Sequence, residues 1–418
     1  MQLSIVIPAL NERENIVELI PLLRRSMPPD IVRYEIIVVD GHSSDGTAQS
    51  AIELGADVIT QSAPGYGGAL QAGFERAQGQ YILTLDADLS HSPDFLPALW
   101  EARHDAEVVV ASRYVPGGKA DMPWFRRMLS RILNTIFNQS LSLGVQDVSS
   151  GYRLYKAVVL RAMRLKSTQF DVLEEILIQA HSQGWRIIEI PFHYQARREG
   201  QSHVKLFKFG WAYLKTLYRM WILRNSIESA DYDYRAYDSI VPLQRYWQRQ
   251  RHKIITRFAQ DADHVLDVGC GSTRILLDLD NVIGLDIKIG KVRYMRRYDV
   301  HGLTASAFAL PFADESFDGL ICSQVIEHIP YDPVLFNEMA RLLKPGGRLI
   351  LGTPDYGGLA WPLLEFFYGR LAPGGYADEH ITHYTRSTLI EILDQHGFVC
   401  RETAWICRAE LILLCIKS

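Results

Sequence analysis

Apolar residues in the first ninety positions form short runs that alternate with amphipathic segments. The runs LSIVIPAL, YEIIVVD and YILTL are typical of buried strands, whereas NERENIVELIPLLRRSM carries apolar residues at helical spacing. One face of this predicted helix is apolar and consists of Ile16, Leu19, Ile20 and Leu23. Strands that alternate with helices predict a mostly parallel sheet with helices on both faces.

The pattern changes near residue 225. The segment NSIESADYDYRAYDSIVP is polar, rich in tyrosine and without periodicity, so we interpret it as a linker. After it, VLDVGCGSTRILLDL reads as a strand, a glycine turn and a helix, and NVIGLDI, FDGLICSQV and GRLILGTP continue as strands. The sequence therefore predicts two α/β domains, at 1–228 and 246–418, joined by a linker at 229–245.

The composition of the chain argues against several classes of protein. A chain of 418 residues is too long for one ordinary core, and a net charge of −4 argues against bulk nucleic-acid binding. The five cysteines lie in the second half without a CxxC pair, which predicts a reducing compartment with no disulfide framework and no zinc site. The N-terminus lacks a signal-peptide pattern, and no apolar run is long enough for a transmembrane helix.

Carboxylates follow three of the predicted strands. Asp40 ends one strand, Asp86 and Asp88 come directly after YILTL, and Glu12 follows the first strand in IPALNE. An aspartate in such a turn often only caps the next helix. Because ligands of parallel sheets bind where the strands end, we favour a site for a nucleotide diphosphate. There a Mg²⁺ or Mn²⁺ ion held by one or two carboxylates would bridge the diphosphate and stabilise the leaving group.

Six motifs occur in the order and spacing of a known family. They are SIVIPALNERENI, IIVVDGHSSDGT, DADLSHSP, ASRYVPGG, DVSSGYRLY and EIPFHYQARREGQS. Together they resemble inverting glycosyltransferases of the GT-A fold, and most closely the polyprenol (dolichol) phosphate mannosyltransferases, over roughly residues 1–225. DADLSH resembles the mannosyl branch, whereas glucosyl and aminoarabinosyl relatives more often carry a glutamine there. The resemblance implies GDP-mannose as donor and a polyprenyl phosphate as acceptor.

The resemblance also assigns roles to residues. It implies nucleotide-sugar binding by Pro8, Glu12, Asp40 and Asp86, and metal binding by Asp86, Asp88 and Ser90. It implies binding of the acceptor phosphate by Arg113, Arg126, Ser130 and Arg197. Among these groups, it gives the catalytic roles to Asp88, Arg113 and Arg197. Arginine suits the binding of the acceptor phosphate because the planar fork of its guanidinium matches the oxygens of a phosphate.

The acceptor determines the expected mechanism. A phosphate monoester is already anionic, so it can attack the anomeric carbon without a dedicated base, and in-line attack inverts that centre. Asp147 and Glu175 match acidic positions of the family, and we interpret both as positioning or structural groups. The family usually has GxSK where this chain has Gly200, Gln201, Ser202 and His203, so His203 and Lys205 are alternatives for the missing lysine.

A lipid acceptor requires contact with a membrane. On the predicted helix 203–224, one narrow face carries Lys205, Lys208, Lys215 and Arg219, and aromatic and apolar residues occupy the rest. This pattern, which recurs in 124–137, suits peripheral binding to an anionic membrane surface on the cytoplasmic side. The alternative is that both helices pack on the protein or on a partner subunit.

The second half resembles class I S-adenosylmethionine-dependent methyltransferases over roughly residues 246–418. The resemblance rests on VLDVGCGSTRILLDL, LPFADESFDGLICSQVIEHI and LFNEMARLLKPGGRLILGTP, and it implies cofactor binding by Gly269, Gly271 and Asp286. A dinucleotide-binding dehydrogenase is the competing interpretation. Thr273 replaces the usual third glycine and Ser306 a usual acidic residue. His328 and His380 are candidates for a base or for structural histidines.

Two hypotheses remain for the whole chain. The first is a glycosyltransferase that acts on polyprenyl phosphate, fused to a methyltransferase of unknown substrate. The second is a glycosyltransferase that acts on a growing glycan, with a second domain that serves only in binding or interaction.

Overall fold

The computed structural model describes residues 1–195, 206–371 and 380–418. The chain divides into two units, Met1–His181 with Trp185–Trp221, and Ser182–Gly184 with Ile222–Ser418. Arg197, His203 and Lys205 lie outside the described residues. None of the helices in the described ranges is both long and apolar enough to cross a bilayer.

The first unit is built on a sheet in the order β3-β2-β1-β4-β7-β5-β8. Its strands, with the short pair β6 and β9, are β1 (Leu3–Ala9), β2 (Tyr34–Asp40), β3 (Asp57–Thr60), β4 (Tyr81–Thr84), β5 (Val108–Ser112), β6 (Lys119–Ala120), β7 (Arg153–Lys156), β8 (Ile187–Pro191) and β9 (His193–Tyr194). All the strands from β3 to β4 run parallel, whereas β7 is antiparallel to both of its neighbours. The carboxyl ends of β1, β2 and β4 therefore meet at one edge.

Helices flank this sheet and supply much of the core. They are α1 (Arg13–Arg25), α2 (Thr47–Glu53), α3 (Tyr66–Arg76), α4 (Leu96–Glu101), α5 (Trp124–Leu141), α6 (Ala157–Arg161), α7 (Val172–Ser182) and α8 (Leu206–Asn225). The predicted apolar face of α1 is confirmed, because its four residues are fully buried against β1 and β2 in one hydrophobic cluster. Gly73 of α3 lets the helix lie close to the sheet, since a Cβ there would come within 2.3 Å of Val6 Cγ1.

The second unit has its own sheet, in the order β12-β11-β10-β13-β14-β16-β15. Its strands are β10 (Val265–Val268), β11 (Val282–Asp286), β12 (Gly302–Thr304), β13 (Phe317–Ser323), β14 (Leu343–Pro354), β15 (Phe398–Ile406) and β16 (Glu410–Lys417). The five strands from β12 to β14 are parallel, and the β16–β15 hairpin closes the sheet in antiparallel pairing. The predicted fold class, two α/β domains with mostly parallel sheets, is confirmed.

Seven helices of the described ranges belong to this unit. They are α9 (Tyr232–Ala236), α10 (Pro242–Ala259), α11 (Ile275–Asp278), α12 (Ile289–Met295), α13 (Pro333–Leu342), α14 (Ala360–Leu371) and α15 (Arg386–Gln395). Helix α9 and the start of α10 fall within 229–245, the segment that the sequence predicts as a linker, and contacts group this segment with the second unit. The exact domain bounds stay a prediction.

Candidate functional site

Asp86 lies just beyond the end of β4, at the edge where β1, β2 and β4 finish. The Tyr66 hydroxyl of α3 donates to Asp86 Oδ1 over 2.9 Å, and the Tyr66 ring stacks on Phe170 at 4.5 Å between centroids. The Asp86 side chain keeps 29% of its surface exposed. One carboxylate oxygen is therefore held in place while the group remains open to a ligand.

Asp88 is the buried member of the pair. Its Oδ1 accepts the Ser90 hydroxyl at 2.5 Å and the Ser90 backbone N–H at 3.1 Å. Leu89 adopts φ +61°, which makes this tight turn. The Ser90 hydroxyl donates its hydrogen bond to Asp88, so Ser90 holds the Asp88 carboxylate in place. The role of Ser90 as a metal ligand stays a prediction.

His91 joins the two aspartates, although the motif alone gave it no role. The backbone N–H of Asp86 donates to His91 Nδ1 over 3.0 Å, so the neutral ring carries its proton on Nε2. Burial lowers the pKa of His91, although the charges of Asp86 and Asp88 act in the opposite direction. The ring stacks on Tyr152 at 5.1 Å. His91 is thus a rigid, neutral support for the loop, and its 3.8 Å approach to the Asp86 carboxylate is not an ion pair.

Asp40 stands at the end of β2, opposite Ala9 in the register with β1. Its Oδ2 accepts the Ser43 backbone N–H over 3.1 Å. In the described part of the chain, no donor reaches the buried Oδ1. A buried acceptor of this kind is costly unless a ligand satisfies it, so Asp40 fits the predicted role of binding a base or ribose.

The predicted residues Pro8 and Glu12 lie beside Asp40, at and after the end of β1. Both are half-buried, and the Glu12 backbone N–H donates to Thr47 Oγ1 over 2.9 Å. Asn15 donates to Glu12 Oε2 over 2.5 Å. These bonds hold the loop after β1 against the start of α2, where the nucleoside is predicted to bind.

Arg113 follows β5 and is fixed by Asp147. Its Nε and Nη2 donate to the two Asp147 oxygens over 2.8 and 2.7 Å, and Nη2 also reaches Ser149 Oγ at 2.8 Å. Burial alone would raise the pKa of Asp147, but the guanidinium lowers it below its usual range. Arg113 remains a fixed cation for the same reason, since the Asp147 charge outweighs its burial and raises the pKa of Arg113.

The other predicted phosphate-binding residues differ in environment. Ser130 Oγ of α5 lies 3.5 Å from Ser149 Oγ, so it adjoins the Arg113 cluster. Arg126 lies one turn earlier on α5 and is exposed. The structure thus brings Arg113 and Ser130 together, whereas the roles of Arg126 and Arg197 stay predictions.

Glu175 is a structural group that also changes the interpretation of α8. Its carboxylate accepts the backbone N–H groups of Lys166 and Ser167, and lies 3.0 Å from Arg219 Nη2. Arg219 therefore points into the protein, and is not part of an exposed basic face with Lys215. The sequence predicted that face wrongly at Arg219, because helical spacing cannot tell a cation with a buried partner from a solvated one.

Asp86 and Asp88 present the hard oxygen donors that Mg²⁺ and Mn²⁺ prefer. Both residues lie in the turn that follows the end of β4, Asp86 partly exposed and Asp88 buried. The residues therefore fit a divalent ion, which Asp86 and Asp88 would hold.

The second site lies where β10 and β11 end. Gly269 and Gly271 have φ of +72° and +57°, and a Cβ on Gly269 would lie 2.2 Å from Val325 Cγ2. Asp286 Oδ2 accepts the Gly271 backbone N–H over 2.8 Å, and Oδ1 accepts that of Lys288 over 2.7 Å. The three predicted cofactor residues thus form one connected turn.

Three further ionisable residues surround this turn. Asp233 of α9 accepts the Ser272 backbone N–H over 3.1 Å and pairs with Lys291 at 2.6 Å. Burial raises the pKa of Asp267 to about 8, and its buried Oδ2 has no hydrogen-bond partner within the described ranges. An orphan acceptor beside a glycine turn fits the ammonium group of S-adenosylmethionine. The sequence missed Asp233 because its segment was interpreted as a linker.

Comparison with known proteins identifies both halves of the chain. Residues 4–164 match Glycosyl transferase family 2, and residues 266–351 match a methyltransferase domain family. The polyprenol monophosphomannose synthase of Mycolicibacterium smegmatis is 33% identical over 215 residues, which cover 47% of this chain and 79% of that protein. The chain belongs to glycosyl transferase family 2. The predicted resemblances of both halves are thereby confirmed.

Other relatives of this family 2 glycosyltransferase carry related names. An undecaprenyl-phosphate mannosyltransferase of Micrococcus luteus is 33% identical over 216 residues, covering 48% of this chain and 87% of that protein. A dolichol-phosphate mannosyltransferase of Pyrococcus furiosus is 33% identical over 229 residues, and the match covers 53% of this chain but only 64% of that protein. A crystal structure of Mycobacterium tuberculosis glucosyl-3-phosphoglycerate synthase with Mn²⁺ and UDP is 22% identical, with a TM-score of 0.43 over 52% of this chain and 79% of that one.

Proposed function

We propose that the first domain transfers mannose from GDP-mannose to a polyprenyl phosphate, with inversion at the anomeric carbon. The observation that carries this proposal is the placement of Asp40, Asp86 and Asp88 at the edge where β2, β1 and β4 end, which includes the switch point between β1 and β4, where ligands of open α/β sheets bind. The names of the three relatives, two mannosyltransferases and a polyprenol monophosphomannose synthase, favour this sugar and this acceptor.

In this mechanism each residue has a limited task. Asp40 would accept a hydrogen bond from the nucleoside through its buried Oδ1, and Asp86 and Asp88 would hold the divalent ion. When bound, that ion supplies Lewis-acid stabilisation of the departing diphosphate. Arg113, fixed by Asp147, aligns the acceptor phosphate for in-line attack, so that no side chain needs to remove a proton.

Two helices of the first unit present apolar surface that fits a lipid interface. On α5 the exposed face consists of Trp124, Phe125, Met128, Leu129, Ile132 and Ile136, and on α8 of Trp211, Leu214, Tyr218 and Trp221. Phe137 of α5 contacts Tyr213 of α8 edge to face, so the two helices adjoin. Exposed arginines 126, 127 and 131 on α5 suit anionic headgroups. We therefore propose peripheral binding to the cytoplasmic face of a membrane.

Vesicle binding tests this surface. The double variant Trp124→Glu, Trp211→Glu should bind vesicles containing anionic lipid at least tenfold more weakly than the wild type, because both rings are about 70% exposed or more. Val32→Glu, at an 80% exposed position of the same unit, is the matched control. Equal vesicle binding by the double variant and this control would contradict a lipid-facing surface.

Transfer assays test the reaction itself. The full chain, polyprenyl phosphate in vesicles, Mn²⁺ and radiolabelled GDP-mannose should give a product that partitions into organic solvent. Asp88→Asn should lower the rate at least about 100-fold, whereas Asp105→Asn, at an exposed position, should leave it unchanged. A product that stays in water would refute the lipid acceptor and favour a glycan acceptor. Incorporation from a UDP-sugar instead would refute the donor.

For the second domain we propose S-adenosylmethionine-dependent methyl transfer. The connected turn of Gly269, Gly271 and Asp286 supports the proposal, and the cofactor would supply an electrophilic methyl group. Asp286→Ala should weaken S-adenosylmethionine binding to the full chain at least tenfold by calorimetry, whereas the exposed Asp280→Ala should not. Absence of binding by the wild type would favour a non-catalytic domain.

A further inference from the structure

A cluster of possible metal ligands lies beyond the end of β13, apart from both predicted catalytic sets. Glu327 and His328 belong to a short 3-10 turn, Ile326–His328, and His380 comes from a segment more than fifty residues later. The backbone N–H groups of Ile381 and Thr382 donate to Glu327 O over 2.7 and 3.1 Å. These two bonds fix His380 beside the turn.

The three side chains offer possible ligand atoms close enough together to share one ion. One carboxylate oxygen of Glu327 and one ring nitrogen each of His328 and His380 all lie within 4.8 Å of one another. The two imidazole centroids are 5.0 Å apart. Glu327 is fully buried, and the His380 side chain is 3% exposed, so bulk water competes little for these ligands.

Glu327 provides an independent sign that a cation is expected here. Its Oε2 accepts the Thr353 hydroxyl over 3.1 Å, but across the described ranges no donor reaches its buried Oε1. The nearby Arg251 donates hydrogen bonds from Nε and Nη2 to the two carboxylate oxygens of Glu410, over 2.6 and 2.7 Å. A buried carboxylate oxygen without a partner is costly, and a metal ion would satisfy it.

The surroundings of His380 resemble the outer shell of a metal site. Its Nδ1 lies 2.7 Å from Glu365 Oε1 and 2.9 Å from the Tyr356 hydroxyl, and Trp361 Nε1 donates to that hydroxyl over 3.2 Å. A carboxylate on Nδ1 fixes the tautomer in which Nε2 carries the lone pair, and it makes that nitrogen a better ligand.

We propose that Glu327, His328 and His380 bind one zinc ion. Two imidazoles and one carboxylate form a donor set that zinc accepts readily, whereas Mg²⁺ prefers oxygen ligands alone. Three protein ligands leave a position for water or a substrate atom, as in catalytic rather than structural zinc sites. The cysteine pattern predicted no zinc site, and this proposal departs from that prediction because its donor set contains no cysteine.

The position of the cluster links it to the methyltransferase fold. Strands β10 and β13 are parallel neighbours, with Val268 opposite Cys322, so the cluster and the glycine turn share one edge of the sheet. Val325, two residues before Glu327, packs directly on Gly269. Zinc binding by the cluster nevertheless does not depend on methyl transfer, and the two can be tested separately.

The experiment must exclude the other predicted metal site. We would use the full chain with Asp86→Asn and Asp88→Asn as background, strip it with a chelator, and titrate it with zinc chloride by calorimetry. The expected result is about one equivalent of zinc. Adding His328→Asn and His380→Asn should abolish this binding, whereas His301→Asn, an exposed histidine of the same domain, should not change it. Cobalt(II) in place of zinc should give a d–d absorption spectrum that the histidine variants lose.

A more conservative variant tests the zinc site if the ligand variants fail to fold. Glu365→Gln keeps all three ligands and removes only the carboxylate beside His380, so zinc affinity should fall about 10- to 100-fold. Two results would overturn the proposal: zinc bound by the double histidine variant as tightly as by the control, or no stoichiometric zinc bound by the background protein. Unchanged affinity in Glu365→Gln would overturn the assigned orientation of His380.

Discussion

Replacing Asp147 by asparagine would leave the Arg113 guanidinium buried without its partner charge. The Asp147 side chain is fully buried and that of Arg113 is 11% exposed, so water can solvate neither group well. Breaking a buried pair by removing one partner typically costs about 3–5 kcal/mol. For a domain of this size we expect the melting temperature of the first domain to fall by roughly 6–20 °C.

Hydrogen exchange provides the assay, because it reports on each domain of the full chain separately. Peptides that cover β5 and β7 should exchange faster by roughly a hundred- to a few-thousand-fold in Asp147→Asn, which corresponds to about 3–5 kcal/mol. Asp57→Asn is the matched control. Its ion pair with Arg76 is 2.6 Å long but exposed, and it should contribute at most about 1 kcal/mol.

The pH dependence of this pair has a defined sign. The pKa of Asp147 is lowered in the folded state, so its stabilisation is complete above the ordinary aspartate pKa and is lost as the pH falls through the lower, folded value. The difference between wild type and Asp147→Asn should therefore persist at neutral pH and shrink only in strong acid. A loss below 0.5 kcal/mol at pH 7 would refute the reasoning that the pair acts as a buried unit.

Three further changes test other parts of the structure. Burial raises the pKa of Glu174 to about 8, so wild-type stability should fall as the pH rises from about 4.5 to 8; Glu174→Gln should remove this slope in the exchange of α7 peptides. Gly269→Ala should weaken S-adenosylmethionine binding at least tenfold by calorimetry, whereas Gly397→Ala, also at positive φ but with no atom of the described residues within 4 Å of the new Cβ, should not. Tyr66→Phe removes a hydrogen bond to Asp86 and should weaken Mn²⁺-dependent GDP-mannose binding by about 1 kcal/mol, with an unchanged melting temperature contradicting any general loss of fold.

The hydrophobic pattern of the sequence predicted the strands and their succession along the chain. Buried parallel strands read as short apolar runs, and the groups placed at their ends, such as Asp40 and Asp86, then meet because parallel strands finish at one edge. His91 and Tyr66 could not be assigned in this way. Their contacts with Asp86 depend on side-chain packing between distant segments, which leaves no periodic signal in the sequence.

The segment 229–245 shows a second reason why a sequence pattern can fail to predict structure. Its polar composition and lack of periodicity are typical of a linker, yet it contains α9, a helix of only five residues. Its charges are satisfied inside the second unit: Asp231 pairs with Arg224, and Asp233 with Lys291. A short helix with buried ion pairs has neither an apolar stripe nor a length from which helical spacing can be recognised. Composition therefore indicated solvent exposure at Ser229, Ala230 and Asp231, which the structure buries.

His328 and His380 show why the role of a histidine needs the fold. In the sequence each is a single histidine, for which a structural role and a role as base were both open. Two backbone hydrogen bonds to Glu327 bring the rings together, and Glu365 then determines which nitrogen of His380 carries the proton. The buried carboxylate disfavours a purely structural role, because a satisfied core would not leave Glu327 Oε1 without a donor among the described residues. Zinc binding would in turn exclude a free base, since an imidazole bound to zinc cannot accept a proton. The zinc titration therefore separates the role of metal ligand from the other two.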